Sequence, residues 1–219
     1  MEKERGEARH MLDVATLGET KIGRALSRTA LRDPGNIAAV AVCAFLVYNQ
    51  VIRAGFPPAL ANVGMAVPLC VNIFLFLIRR DPARTGNAFD ALIAILGTFS
   101  ISFMPRAPGY GPLVVAILLA GLALWLAALI HLGRSFGIAP ADRGLKTTGP
   151  YHFIRHPVYA GELLTAFAVF AAAPRVGSAA VLGIWWFFQC WRMIREERVI
   201  SGYEAYRARV RWRVLPGVW

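Results

Sequence analysis

LVVAILLAGLALWLAALIHL, residues 113–132, is a continuous apolar run without a single Asp, Glu, Lys or Arg. An α-helix of about 20 residues is about 30 Å long, which matches the hydrocarbon core of a bilayer. The run therefore predicts a transmembrane helix. The whole chain agrees, because 57% of its 219 residues are hydrophobic and 17% are charged, and a soluble domain of this size does not bury so much apolar surface.

Five further apolar segments accompany this run, at residues 37–54, 59–78, 88–104, 158–173 and 177–194. Only residues 174–176 join the last two, and so short a link predicts an antiparallel helical hairpin. We therefore predict an all-α, polytopic membrane protein with about six apolar helices. Its parts are a polar N-terminal segment (1–36), in which 14–31 are compatible with an amphipathic surface helix, four transmembrane helices (37–132) and a C-terminal region (133–219).

The basic residues predict the orientation of the chain. The net charge is +11, and of the 24 Lys and Arg residues only Arg53, Arg106 and Arg175 fall on one side of a six-helix arrangement. By the positive-inside rule both termini and the loop at 133–156 are cytoplasmic. This placement indicates membrane lipids as partners and argues against nucleic acid. The Ala-, Arg- and Gly-rich composition is typical of GC-rich bacterial genomes, so the expected location is a bacterial inner membrane.

Small residues inside the apolar segments give weaker signals. Cys43, Cys70 and Cys190 are far apart and lack CxxC or His-rich spacing, so neither a disulfide nor a metal site is predicted. Gly161, Gly177 and Gly183 are small enough for close helix packing within the chain or between chains. The sequence leaves the oligomeric state open.

The candidate functional residues begin in the stretch 144–161, GLKTTGPYHFIRHPVYAG. Gly149-Pro150 predicts a turn, and Pro157 suits the first position of a helix. His156 precedes a proline and is therefore expected outside the helical region. The N–H groups of this helix end would suit a carboxylate or another anionic group. A juxtamembrane anchor with Tyr151 and Tyr159 among the lipid head groups is equally compatible with the residues.

A second cluster of charges ends the last apolar segment. Arg192 and Glu196 are four residues apart and share a helix face, with Glu197 close to it. A charge at the depth of Arg192 faces the protein interior or a wet cavity, or else extends to the interface. Glu162 lies one turn inside the preceding helix. It is compatible with an acceptor pocket or the interface, but we expect it to pair with Arg192, because an unpaired charge at that depth is costly.

These two clusters together resemble the isoprenylcysteine carboxyl methyltransferase family and its bacterial relatives. The shared pattern is Gly-Pro-Tyr-x-x-x-Arg-His-Pro-x-Tyr-x-Gly at 149–161, a hairpin, Glu196-Glu197, and Gly-x-x-x-Tyr…Pro ending at Pro216. The resemblance covers about 133–216. It implies a cytoplasmic site for S-adenosylmethionine, a lid at 203–216, and Arg192 facing the methyl acceptor. The residues that it assigns to the cofactor are Leu145, Lys146, Gly149, Tyr151, Arg155, His156, Pro157, Tyr159 and Glu197.

The expected function is a membrane methyltransferase that uses S-adenosylmethionine and a lipophilic or small apolar acceptor, with Arg192, Glu197 and Glu162 as catalytic candidates. Arg192 would orient a carboxylate acceptor. A thiol would need Glu162, Glu197 or a nearby cation to lose its proton, and an amine would have to be uncharged. One alternative is an NADPH-dependent membrane sterol or steroid reductase. Such enzymes carry a similar Arg-His-Pro-Asn-Tyr-x-Gly-Glu stretch. Glu162 matches its last residue, whereas Val158 stands at the position of its asparagine. A non-catalytic membrane scaffold is the third reading.

Overall fold

The computed structural model describes residues 34–52, 60–105, 107 and 109–219, and most of them are helical. The all-α prediction is therefore confirmed in its main feature. The predicted amphipathic helix at 14–31 lies outside the described residues. In chain order the helices are α1 (Pro34–Ile52), α2 (Leu60–Ile78), α3 (Ala88–Ser100), α4 (Pro112–Leu132), α5 (Pro157–Ala172), α6 (Val176–Val199) and α7 (Tyr203–Arg209).

Three of these helices, α1, α4 and α5, begin at a proline. Pro112 follows Gly111 at the beginning of α4, and Pro157 begins α5. Proline suits this position because the first N–H groups of a helix have no partner within it. His156 has φ −128° and ψ 64°, outside the helical region, as its place before proline predicted.

The apolar helices differ in length. Within the described part of the chain, one helix, Pro112–Ser135, is long and apolar enough by length and composition to cross a membrane. Shorter apolar helices occupy Val40–Asn49, Ala66–Ile78, Ala88–Phe103 and Pro157–Ala172. Each of the six predicted apolar segments thus contains a helix, while the number of membrane crossings stays a prediction.

Helix α5 packs most extensively against α4 and much less against α6. A Cβ atom on Gly161 would lie 2.5 Å from Trp125 N, and one on Gly121 would lie 2.8 Å from Thr165 N. These two glycines allow the backbones of α4 and α5 to touch. The short link between α5 and α6 is present as predicted, but the two helices of the expected hairpin do not form the main packing pair. This difference leaves room between them.

Helix α6 packs against α3 instead. Asp90 in α3 is 1% exposed, and its two oxygens accept hydrogen bonds from Arg195 Nε at 2.8 Å and Arg195 Nη2 at 2.9 Å. Two parallel bonds between a guanidinium and a carboxylate fix direction as well as distance. The pair therefore holds the end of α6 that carries the acidic residues.

Two loops on one face of the bundle join in a short antiparallel ladder that the all-α prediction did not include. β1 (Arg84–Thr85) pairs with β2 (Ala141–Asp142), with Arg84 opposite Asp142. The loops at 79–87 and 133–148 therefore lie on the same face of the bundle, where the sequence analysis placed them both.

Candidate active site

The loop between α4 and α5 depends on Gly149. Its φ of +60° lies in the left-handed region that favours glycine, and a Cβ atom there would lie 2.2 Å from His131 Cδ2. Gly149–His152 forms a 3-10 turn, which confirms the turn predicted from Gly149-Pro150. The turn buries Tyr151, so Gly149 fixes the shape of the loop, while its contact with a cofactor stays a prediction.

The C-terminal tail holds the backbone that leads into α5. The N–H group of Arg155 donates to the carbonyl of Trp212, and that of His156 donates to the carbonyl of Arg213, both at 2.8 Å. The Tyr206 hydroxyl donates to the carbonyl of Tyr151 at 2.6 Å. The tail and α7 therefore fix the position of the Arg155-His156 pair.

Glu197 is the centre of a polar network between α6, the loop and the tail. Its Oε1 accepts hydrogen bonds from Arg155 Nη1 at 3.0 Å and Arg213 Nε at 2.9 Å, and lies 3.1 Å from His156 Nε2. Its Oε2 accepts from Arg213 Nη2 at 3.0 Å, and the Tyr203 hydroxyl lies 3.3 Å from Oε1. We call this group of five side chains the Glu197 network.

The network keeps Glu197 ionised. Burial by itself would raise the pKa of this carboxyl, but hydrogen bonds from His156 and Arg213 and the charges of His156 and Arg155 outweigh it and lower the pKa to about 2. A carboxylate with both oxygens occupied has little remaining capacity for a ligand. Glu197 thus connects three segments of the protein.

The neighbouring Glu196 faces a different direction. Its Oε1 accepts a hydrogen bond from the Tyr159 hydroxyl, and its Oε2 lies 4.0 Å from His156 Nδ1. Consecutive residues on an α-helix point about 100° apart, so one carboxylate of the pair meets the tail and the other meets α5. Glu196 was not predicted as a site residue from the sequence, although it shares a helix face with Arg192.

Glu162 and Arg192 are connected through a third residue. Gln189 Nε2 donates to Glu162 Oε2, and Gln189 Oε1 accepts from Arg192 Nη1 at 2.9 Å. Arg192 Nη2 donates to the carbonyl of Ile138 at 2.9 Å, and its guanidinium lies 5.2 Å from the centre of the Tyr159 ring. The expected direct pair of Glu162 with Arg192 is replaced by this Gln189 bridge, because the amide can satisfy both charged groups at once.

One cavity receives side chains from all six long helices and from the loop at 135–146. It encloses about 1570 Å³ of space between atoms, a volume that includes open solvent at its mouth. We call it the central cavity. Its loop end is lined by Arg143, Leu145, Lys146, Tyr151, Arg155, His156, Glu196, Tyr203 and Tyr206, and its mostly apolar bundle end by Cys43, Leu46, Leu69, Trp125, Ala166 and Trp185.

Tyr159, Glu162 and Arg192 line the central cavity between these two ends. Along α5, Ala166 lies about 10 Å deeper than Tyr159 at 1.5 Å per residue. The Gln189 bridge is therefore at the junction of a polar compartment and an apolar one.

Asp142 holds the loop that contributes Arg143, Leu145 and Lys146 to the cavity. Its carboxylate accepts hydrogen bonds from the N–H groups of Gly144 at 3.1 Å and Ser201 at 2.9 Å. Burial works to raise the pKa of Asp142, but the bonds from Ser201 and Gly144 and the charge of Arg84 lower it below its ordinary value. Asp142 thus ties the loop to the end of α6, a role that was not predicted from the sequence.

The structure divides the residues named from the sequence into two groups. Eight line the central cavity, namely Leu145, Lys146, Tyr151, Arg155, His156, Tyr159, Glu162 and Arg192. Gly149, Pro157 and Glu197 do not line it and act on the backbone or within the Glu197 network. The lining residues that the sequence analysis did not name include Arg143, Glu196, Trp125 and Trp185. Tyr203 and Tyr206 of the predicted lid also line the cavity.

Comparison with known proteins supports the methyltransferase interpretation and not the reductase alternative. Residues 114–201 match the model of the Isoprenylcysteine carboxyl methyltransferase (ICMT) family, and a search of curated proteins gives no match. The matched region runs from α4 to the end of α6 and includes the loop, the Gln189 bridge and both acidic residues. The resemblance seen in the sequence is therefore confirmed over residues 114–201, where the chain is similar to the isoprenylcysteine carboxyl methyltransferase family.

Proposed function

We propose that the chain transfers a methyl group from S-adenosylmethionine to a lipophilic or small apolar acceptor, with both molecules bound in the central cavity. The observation that carries this proposal is the continuity of the cavity. A polar loop end and an apolar bundle end share one space, as two substrates of opposite character would require.

The residues of the loop end fit the donor molecule. Arg143 and Lys146 are cations that suit its carboxylate. The carboxylate of Glu196 suits a positively charged amine or sulfonium group, and the rings of Tyr151, Tyr203 and Tyr206 give apolar surface for a purine. S-adenosylmethionine supplies a methyl group already activated on a positively charged sulfur. The chain's task is to place the nucleophile in line with that methyl group and to exclude water.

The bundle end fits the acceptor. Its apolar side chains come from α1, α2, α4, α5 and α6, so a hydrocarbon group gains about 25 cal/mol for each Å² that it buries there. The reacting atom would stand at the junction, beside Glu162 and Arg192. We propose that the Glu197 network holds the loop and tail closed on the donor and does not touch the reacting atoms.

Calorimetry on the full chain in detergent tests the donor assignment. S-adenosylmethionine is expected to bind and NADPH is not. Glu196→Gln is expected to weaken S-adenosylmethionine binding, while Glu204→Gln, at an exposed position of α7, serves as the matched control. Binding of NADPH without binding of S-adenosylmethionine would contradict the proposal.

A further inference from the structure

The tail beyond α7 packs against the apolar sides of α5 and α6. Val214 is buried and shares an apolar cluster with Leu163 of α5 and Trp186 of α6. The ring of Trp219 meets the ring of Trp186 edge-on, with 6.3 Å between their centres. Trp186 precedes Glu197 by about 16 Å along α6, at 1.5 Å per residue. The tail therefore extends from the Glu197 network towards the apolar part of the bundle.

Large apolar side chains are exposed on and beside this tail. Phe153 is 73% exposed, Leu215 42% and Val218 75%. The N–H group of Val218 donates to the carbonyl of Leu215 at 3.1 Å, so these two residues share one turn. Each Å² of apolar surface that leaves water contributes about 25 cal/mol. Because the turn lies beside two apolar helices, the hydrocarbon of a bilayer is the medium that would cover it.

Exposed arginines precede the turn. Arg207, Arg209 and Arg211 are exposed, and within the described part of the chain none of them forms a salt bridge. The same segment carries one acidic side chain, Glu204. The Arg211 guanidinium lies 4.8 Å from the centre of the Trp212 ring. Arginine, an aromatic ring and exposed apolar groups in one place suit the head-group region of a bilayer, where cations attract anionic lipids.

The same segment is connected to the loop end of the central cavity. Arg155 Nη2 donates to the carbonyl of Arg211 at 3.3 Å, and the Arg155 N–H group donates to the carbonyl of Trp212. Tyr203 and Tyr206 of α7 line the loop end. A molecule that immobilises the segment around Arg211 would therefore also steady the side chains that face the donor.

We propose that the tail carries a docking surface for anionic lipid of the adjoining leaflet, and that bound lipid holds the tail in the position that completes the donor end of the cavity. The arginines bind the head-group phosphates, while the apolar side chains enter the acyl-chain region, an arrangement typical of interfacial segments. The docking is independent of the reaction, whereas its effect on the donor rests on the proposed function. The docking surface consists of Phe153, Arg207, Arg209, Arg211, Leu215 and Val218.

Hydrogen exchange of the full chain in nanodiscs tests the docking surface without any methyl donor. One set of discs contains phosphatidylcholine alone, and the other an equal mixture with phosphatidylglycerol. Amides of residues 210–219 are expected to exchange about tenfold more slowly in the anionic discs, because each arginine at an anionic surface contributes about fivefold. Arg209→Gln/Arg211→Gln should lose most of this difference. Arg175→Gln/Arg198→Gln, which removes two exposed arginines outside the tail, should keep it.

The docking surface is wrong if residues 210–219 exchange equally in both kinds of disc, or if the control variant loses as much protection as the tail variant. The same protection in phosphatidylcholine discs with soluble glycerol phosphate would identify a free anion in place of a lipid. Leu215→Gln/Val218→Gln should exchange faster than the wild type in both kinds of disc, because the acyl-chain contact does not depend on lipid charge. Unchanged exchange in that variant overturns the apolar part of the surface.

Calorimetry in the same discs tests the coupling to the donor end. S-adenosylmethionine is expected to bind the wild-type chain about fivefold more tightly in the anionic discs, and Arg209→Gln/Arg211→Gln about equally in both. Enrichment of the positively charged donor at an anionic surface would instead persist in that variant. Unchanged donor affinity with a protected tail overturns the coupling and leaves the docking surface. Absence of donor binding in either disc overturns the proposed function, while the exchange result stands by itself.

Discussion

Glu197 and Glu162 are both acidic residues on helices that line the central cavity, yet their surroundings differ. Both oxygens of Glu197 are bonded within the Glu197 network, with 9% of the side chain exposed. Glu162 has one oxygen bonded to Gln189 and the other open at the cavity. One carboxylate is occupied entirely by protein groups, and the other retains capacity for a ligand.

This difference distinguishes residues that maintain the geometry of the site from residues that contact a bound molecule. A buried polar group whose bonds are all satisfied by the protein stabilises one arrangement of the chain. A polar group left partly unsatisfied next to a cavity is available for a bound molecule. By this criterion Glu197 maintains the geometry of the loop and tail, while Glu162 and Glu196 meet the substrates.

The largest effect is expected from removing the centre of the Glu197 network. Glu197→Ala leaves the charges of Arg155 and Arg213 without their partner, and breaking a buried ion pair in this way costs about 3–5 kcal/mol. Thermal unfolding in detergent should show a clear fall in midpoint, and the tail beyond residue 209 should become sensitive to protease. Glu204→Ala is the exposed control. If both variants unfold at the same temperature as the wild type, the network does not hold the tail.

The next effect concerns the contact that positions Glu162. Gly161 precedes it, and a side chain at that position meets the backbone of Trp125 in α4. Gly161→Leu should force the two helices apart, at a cost of about 1–3 kcal/mol or more, and should reduce methyl transfer because Glu162 moves with α5. Gly183→Leu is the matched control, since a Cβ atom on Gly183 meets nothing within 4 Å. Equal destabilisation by both substitutions would contradict the close α4–α5 contact.

Much of the fold could be predicted from the sequence because the signals are local. The apolar run at 113–132, the proline at 157 and the turn at 149–150 act over a few residues, and the structure has a helix or turn at each. The pairing of α5 with α4 was not predictable in this way. It depends on the contacts of Gly121 with Thr165 and of Gly161 with Trp125, which join distant parts of the chain, and neither glycine carries a local sign of its partner.

The site was predictable in its loop and less so in its acidic residues. The family resemblance directed attention to Glu197, whereas the four-residue spacing from Arg192 pointed to Glu196 as the carboxylate on the shared face. The Gln189 bridge was missed because a glutamine in an apolar helix has no distinctive sequence signal. Which of two adjacent carboxylates faces a cavity depends on the rotation of α6, which its contact with α3 determines.

A smaller effect is expected at Glu196. Glu196→Gln keeps an oxygen that can accept the Tyr159 hydrogen bond but removes the negative charge from the loop end. Binding of the positively charged donor should weaken about tenfold, equivalent to about 1.4 kcal/mol, with little change in thermal stability. Calorimetry measures the first quantity and thermal unfolding the second. Unchanged donor affinity would place the sulfonium and ammonium groups away from Glu196.

The smallest effect is that of mild acid on the Glu197 network. The folded pKa of Glu197, about 2, lies below its ordinary value of 4.5, so its stabilising contribution is complete well above pH 4.5 and is lost as the pH falls towards 2. Between pH 7 and pH 4 the loss is below about 1 kcal/mol. Because Asp142 and other carboxyl groups also titrate, the useful quantity is the difference between wild type and Glu197→Gln. That difference in unfolding free energy should shrink as the pH falls from 5 to 3, and if it stays constant, Glu197 is not held ionised by its partners.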